Sequence, residues 1–334
     1  MTRYRVDLTL LAVAVVWGSS YLAAKEAVAP GGVPAFLAVR FAIAALVLAV
    51  LLGRRIGRIG RDELLAGALF GTILTAICLC ETYGVTRTSA SNAGLIMALT
   101  VVITPLLGGR RAVLRRFYGA AAMVVLGCIA LTQASGFAFP GSGDLLVATA
   151  AVLRAVHVTV MSRVSQRSRR LDTAAVTLVQ LVTVSVLTAV PAGILGQFAV
   201  LPQMSGWDWV LTGYLALVCT VFAFGAQLWA LRYSTPARMS LLLGTEPLWA
   251  AVIGVGLAGD PVTALGALGA VLVVTGTNWG RVIDSATISP AGPAVETVRE
   301  RRGVSTGARW RPCTGMSRRW HRRSRWCSRK SRRA

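Results

Sequence analysis

The stretch PAFLAVRFAIAALVLAVLL, residues 34–52, runs straight into GRRIGR, residues 53–58. The first segment holds a single charge, Arg40, and as a helix it reaches about 28 Å. That is close to the thickness of a bilayer's hydrocarbon core, about 30 Å. The second segment is an abrupt cationic stop. An apolar span of this length ending in arginines reads as a membrane crossing anchored at a charged interface.

Working outward, nine more segments share this character. The ten lie near residues 8–29, 34–52, 64–85, 91–108, 117–135, 144–162, 173–196, 208–231, 237–258 and 262–283. The chain as a whole is 55% hydrophobic and only 14% charged, where a soluble domain carries about 25% charge. The first apolar run continues past Gly18-Ser19-Ser20, so it reads as a retained helix rather than a cleaved leader. The expected fold is an all-α integral membrane protein of about ten transmembrane helices.

Loop charge supports the map. With a cytoplasmic N-terminus, the cytoplasmic segments before the tail hold Arg3, Arg5, Arg54, Arg55, Arg58, Arg61, Arg110, Arg111, Arg115, Arg116, Arg163, Arg167, Arg169, Arg170, Arg232 and Arg238. The opposite loops hold Arg87 alone. This asymmetry is the positive-inside pattern, and it predicts both termini in the cytoplasm. The net charge of +22 therefore does not read as a nucleic-acid footprint, and no nucleic-acid partner is expected. Much of the excess sits in residues 285–334, which hold 14 of the 35 Lys and Arg and 2 of the 13 acidic residues. That tail reads as basic and disordered. Resting on an anionic membrane, binding nucleic acid and arising from a shifted reading frame are open alternatives for it.

An internal repeat is visible. YGVTRTSA at residues 83–90 is echoed by WALRYSTP at 229–236, 146 positions later, and the helices that follow match in pattern. Five spans per half is an odd number, so the halves must cross the membrane in opposite senses, an arrangement characteristic of secondary transporters. The boundaries expected are residues 1–138, 139–284 and the tail 285–334. Pro105 and Pro247 are helix-break candidates at related places in the repeats, and such breaks point to a midplane site.

Ionisable groups within a span are costly and ask for a role. Glu246, beside Pro247, is a candidate ligand for a cationic group or a proton. His157, one turn from Arg154, is a candidate proton relay or solute contact. Lys25, Arg40 and Glu81 are further candidates; Arg40 is expected to pair with Glu81 or Glu26, and Lys25 can snorkel to the interface. For each of these a purely structural role between helices is the competing reading. Trp17-Gly18-Ser19-Ser20 can line a cavity or simply let helices approach. There is no Gly-rich phosphate loop, so ATP is not expected as the energy source. His157 and His321 are the two histidines, which leaves no two-histidine metal site in the membrane. The six cysteines show no disulfide or metal pattern. Neither enzymatic activity, a cofactor nor a metal is expected.

At these residues the chain resembles the drug/metabolite transporter superfamily, and specifically its EamA branch. Trp17-Gly18-Ser19-Ser20-Tyr21-Leu22-Ala23-Ala24-Lys25 is similar to the family's opening Trp-Gly-Ser…Lys signature. Arg40-Phe41, the run Thr88-Ser89-Ala90-Ser91-Asn92-Ala93-Gly94, Gly141–Leu146, Ala230–Tyr233 and Glu246-Pro247 follow in the family's order. Asn92 enters the candidate solute contacts through this motif. Arg154 and the long cationic tail depart from the family pattern. The resemblance implies two five-helix repeats around a central cavity, alternating access, and export or exchange of amino acids, metabolites or drug-like compounds. Expected partners are a small-molecule solute and membrane lipids, with proton coupling and a homodimer as candidates. The expected location is the cell (inner) membrane. A non-transporting scaffold or sensor with a basic interaction tail is the alternative; a lipid-modifying enzyme would need its charges clustered at one interface.

Overall fold

The computed structural model describes residues 2–28, 31–107, 115–132, 140–167, 171–230, 242–243, 245–260 and 262–288. All of them belong to one compact unit, residues 1–290. The tail from 289 onward, the loop arginines Arg110, Arg111, Arg169, Arg170, Arg232 and Arg238, and most of the repeat segment 229–236 lie outside the described residues.

The described chain is helical and contains no strand. This is the expected outcome for apolar spans, since a helix satisfies every backbone N–H and C=O within its own segment where water is absent. In chain order the helices are α1 Thr2–Ala27, α2 Val33–Leu52, α3 Arg61–Val85, α4 Ala90–Met97, α5 Leu99–Leu107, α6 Arg115–Thr132, α7 Ser142–Arg167, α8 Thr173–Ile194, α9 Gly206–Ala216, α10 Ala223–Ala230, α11 Glu246–Gly256 and α12 Ala264–Ile288. A 3₁₀ turn, Gly53–Arg58, follows α2, and one π-helical turn, Leu217–Phe222, joins α9 to α10. Among the described residues six helical segments are long and apolar enough to cross a membrane: Tyr4–Ala27, Val33–Arg58, Arg61–Val85, Ser142–Met161, Thr173–Ile194 and Gly206–Ala226. Tyr118–Ala130, Glu246–Gly256 and Ala264–Gly280 are apolar but shorter.

Helix ends have local causes. Pro34 sits in the first turn of α2, where its missing N–H is harmless. At the head of α3 the Glu63 carboxylate accepts the Gly60 N–H at 3.0 Å. Asp172 caps α8 by accepting the Ala174 N–H, and Ser205 caps α9 by accepting the Asp208 N–H.

The fourth expected span is interrupted, but not at Pro105. The helix runs through that proline to Leu107 and breaks instead at Ala98, between α4 and α5. At this turn the Leu95 carbonyl is shared. It accepts the Ala98 N–H, three residues on, at 3.1 Å, and the Cys128 thiol from α6 lies 3.9 Å away as a second donor. The turn is thereby tightened away from α geometry. Pro247 occupies the first turn of α11, immediately after the turn at Thr245.

Two packed centres organise the unit. One gathers Tyr21, Ile77, Leu95, Ile96, Val124, Val147 and Val273; the other gathers Phe36, Leu37, Phe41, Leu181, Val184, Leu211 and Leu215. α6 packs along α12, α2 along α8, and α3 against both α7 and α8. α1 lies against α9 and α11, and α4 against α11 and α7. Outside these contacts the surface is apolar, with Val50 at 73%, Leu51 at 69%, Ile194 at 80% and Leu257 at 77% exposure. An outward face of this kind is unsuited to water and matches a lipid surround.

Candidate functional site

Four polar side chains from four helices meet inside the first packed centre. The Tyr21 hydroxyl, on α1, donates to Glu246 Oε1 at 2.9 Å. Arg154 on α7 donates from Nη2 to Glu81 Oε2 on α3 at 3.0 Å, forming an ion pair. Tyr21 is within electrostatic reach of Glu246, Glu81 and Arg154 together, so the two pairs form one cluster. The tyrosine is almost wholly buried, at 2% exposure. Glu246 stands at the first position of α11, where the helix dipole favours an anion.

Close approach of the surrounding helices sets this geometry. Gly94 on α4 faces Ala250 of α11 and the Tyr21 ring, and no added Cβ could fit there without movement. Gly18 on α1 is equally tight: a Cβ would lie 2.7 Å from Trp249 Cβ and 2.8 Å from the Ala250 nitrogen. These contacts hold α1, α4 and α11 close enough for Tyr21 to reach Glu246.

The other expected residues divide between packing and anchoring. Trp17 donates from Nε1 to the Cys219 carbonyl at 3.0 Å and meets Phe224 edge-on. Ser19 shares a 2.6 Å hydrogen bond with the Tyr214 hydroxyl, while Ser20 bonds back to the Trp17 carbonyl of its own helix. The Trp-Gly-Ser-Ser stretch thus fastens α1 between α9 and α11. Lys25 donates from Nζ to the Thr88 carbonyl at 2.9 Å, and Thr88 in turn donates to Asp144 Oδ1 at 2.6 Å. The lysine is thereby tied to the turn after α3. The Asn92 backbone N–H is held by the Ser89 cap, and its side chain is half-buried. His157 is buried on α7, edge-on to Phe70 at 6.0 Å, and among the described residues its Nε2 has no hydrogen-bond partner.

The expected pairing of Arg40 is not formed. Glu81 is taken by Arg154, and Glu26 receives the Trp207 indole N–H at 3.5 Å. Arg40 instead sets its guanidinium carbon 5.3 Å from the centre of the Phe41 ring, and its buried Nε has no hydrogen-bond partner among the described residues.

Three features escaped the sequence reading. Tyr21 is uncharged, so a search keyed to charge passed over it, although it lies within the Trp17–Lys25 motif. Asp260, in the turn after α11, accepts the backbone N–H of Ser91 at 2.9 Å and its hydroxyl at 2.6 Å; it thereby fixes the N-terminus of α4 from the other half of the chain. The π turn at Leu217–Phe222 supplies the Cys219 carbonyl that Trp17 uses. Among the described residues no group of three or more His, Cys, Asp or Glu could hold a metal ion.

Comparison with known proteins adds identity to this geometry. The EamA-like transporter family matches twice, over residues 5–132 and 141–279. A solved crystal structure shares the fold with a TM-score of 0.59, covering 86% of this chain and 99% of its own, at 20% sequence identity. At that identity the likeness shows the fold alone. No curated protein matches the chain.

Proposed function

Because this chain belongs to the EamA-like transporter family, a family of multi-pass membrane proteins that move small solutes, we propose that it is a secondary transporter working by alternating access. Its cargo is a small organic solute, an amino acid, metabolite or drug-like compound, carried outward or in exchange. Residues 1–138 and 139–284 act as two inverted five-span halves in the cell membrane, with both termini cytoplasmic. Glu246 and Tyr21 form the core of the solute or proton site, with the Glu81–Arg154 pair beside them.

The observation that carries this reading is the pairing of helices. Numbering the ten expected spans in order, span 1 packs on 8 and 9, span 2 on 7 and 8, span 3 on 6 and 7, span 4 on 6 and 9, and span 5 on 10. Among these principal contacts, replacing every span by its counterpart in the other half returns the same set of pairs. That invariance supports a pseudo-twofold relation between the halves, which an odd number of spans per half would make an inverted one. The breaks at Ala98 and Thr245 fall at matching places under the repeat offset. The polar cluster draws Tyr21 and Glu81 from one half and Arg154 and Glu246 from the other, so relative motion of the halves would change it.

Purified protein in liposomes tests this. Proton-gradient-driven flux is measured over a panel of amino acids and cationic drugs, with Glu246→Gln in parallel. Saturable flux lost in the variant is the expected result. Flux that survives in the variant discards Glu246 as the site, and the absence of saturable flux for any compound tells against the transport reading.

A further inference from the structure

A cleft of about 300 Å³ lies apart from the polar cluster, lined by Arg55, Arg58, Ile59, Glu63, Asp172 and Ala175. It opens where α2 ends in the 3₁₀ turn Gly53–Arg58 and where α3 and α8 begin. The charges around it are unequal in availability. Both carboxylates are engaged by the chain's own helix ends: Glu63 accepts the Gly60 N–H and Asp172 accepts the Ala174 N–H, each at 3.0 Å. Arg55 and Arg58 are exposed, and among the described residues neither makes an ion pair. The cleft therefore presents two uncommitted guanidiniums, the side chain best shaped for bidentate contact with phosphate oxygens.

The surface beside the cleft is equally distinctive. The helices entering and leaving the turn carry an exposed apolar wall, with Val50 and Leu51 on α2 and Leu64 and Leu65 on α3 at 50–73% exposure. Ile56, within the turn itself, is 40% exposed. The lining charges balance, but the two guanidiniums make no ion pair among the described residues, and beside exposed apolar side chains they are complementary to an amphiphile with an anionic head and hydrocarbon chains. We infer that this cleft is a binding site for an anionic phospholipid, its phosphodiester held by Arg55 and Arg58 and its acyl chains lying on α2 and α3. A zwitterionic lipid brings its own compensating cation and forfeits the charge attraction. Free phosphate has no use for the apolar wall. Neither the site nor its occupant depends on the transport reading.

Native mass spectrometry of the full chain in mild detergent tests the inference. The protein is titrated separately with dioleoyl-phosphatidylglycerol, dioleoyl-phosphatidylcholine and inorganic phosphate. Each basic residue near an anionic lipid is worth about fivefold in affinity, so the Arg55→Gln/Arg58→Gln double variant should bind phosphatidylglycerol about 30-fold more weakly. Arg54→Gln, on the same turn but outside the cleft lining, should lose fivefold or less. Arg55→Lys/Arg58→Lys keeps the charge without the fork geometry, and its loss should be intermediate. Exposed substitutions of this kind leave the fold nearly unperturbed, which circular dichroism checks on each variant. The inference is overturned if the double Gln variant loses less than fivefold. It is equally overturned if phosphatidylcholine binds as tightly as phosphatidylglycerol, or if millimolar inorganic phosphate displaces the lipid.

Discussion

Removing both members of the Arg154–Glu81 pair should destabilise the protein no more than removing either one alone. The donor and acceptor atoms are 3.0 Å apart. Unit charges about 4 Å apart attract by about 4 kcal/mol at an effective dielectric of about 20, and desolvation offsets part of that. Stranding one partner of a fully buried pair costs about 3–5 kcal/mol. The two side chains here keep 32% and 20% exposure, which places each single loss near the lower limit, about 2–3 kcal/mol. Arg154→Met with Glu81→Gln leaves no stranded charge, so the double variant should lose about as much as one single. The expected coupling is therefore about 2 kcal/mol. The measurement is a double-mutant cycle on unfolding in mixed dodecylmaltoside and dodecyl sulfate micelles, followed by far-ultraviolet circular dichroism. Additivity within about 0.5 kcal/mol is the behaviour of sites that do not touch, and it would refute the ion pair and the four-residue cluster built on it.

Three other outcomes are expected. Tyr21→Phe deletes the hydroxyl bonded to Glu246 while keeping the ring on Gly94; it should lose about 1.5–3 kcal/mol of stability, as for hydrogen bonds to charged groups, and a melting curve unchanged from wild type would show that the bond is not made. Asp260→Ala removes the acceptor of the Ser91 N–H and hydroxyl; a loss of about 1–2 kcal/mol is expected, together with faster amide exchange at Ser91 and Asn92, and unaltered exchange there would remove Asp260 as the anchor of α4. Gly127→Val drives a side chain into the backbone of α12, since a Cβ at residue 127 already lies 2.7 Å from the Gly269 carbonyl; overpacking should cost about 1–3 kcal/mol or more, and a variant as stable as wild type would contradict the α6–α12 contact.

The long spans were legible because lipid imposes two demands at once, length and apolarity, that few other sequences meet. Residues 34–52 and 173–196 fall on Val33–Leu52 and Thr173–Ile194 within a few residues. Where the reading stopped short, the helix begins in polar residues that composition alone excludes: Arg61, Asp62 and Glu63 are the first turn of α3. The π turn left no trace, because Leu217–Phe222 is as apolar as its neighbours. The break at Ala98 was not legible, because Ala98 lies in a run as apolar as its neighbours, while Pro105, the residue type least suited to a helix interior, stands within α5.

The candidate site shows the same division. The energetic cost of a charge in a membrane singles out Arg40, Glu81, Arg154 and Glu246 from sequence alone. It does not say which charge meets which, because that depends on how the helices turn toward one another. Arg154 outcompeted Arg40 for Glu81, and Glu246 is served by a neutral hydroxyl. Glycines carry much of the missing information. Gly18 and Gly94 bring α1, α4 and α11 together around Tyr21, and Gly127 and Gly276 bring α6 against α12 with backbone atoms under 3 Å from an added Cβ. Small residues permit such approach, and in lipid it is van der Waals contact of this kind that holds helices together. The α6–α12 and α2–α8 pairs are long packed contacts, the first made close by Gly127 and Gly276 and the second crossed by a hydrogen bond from the Ser185 hydroxyl to the Ala38 carbonyl. The contacts Tyr21–Glu246 and Lys25–Thr88 are single hydrogen bonds and Asp260–Ser91 is a pair of them, at helix ends and breaks. Under an alternating-access mechanism the first group suits an axis that stays fixed, and the second suits latches that open and close around it.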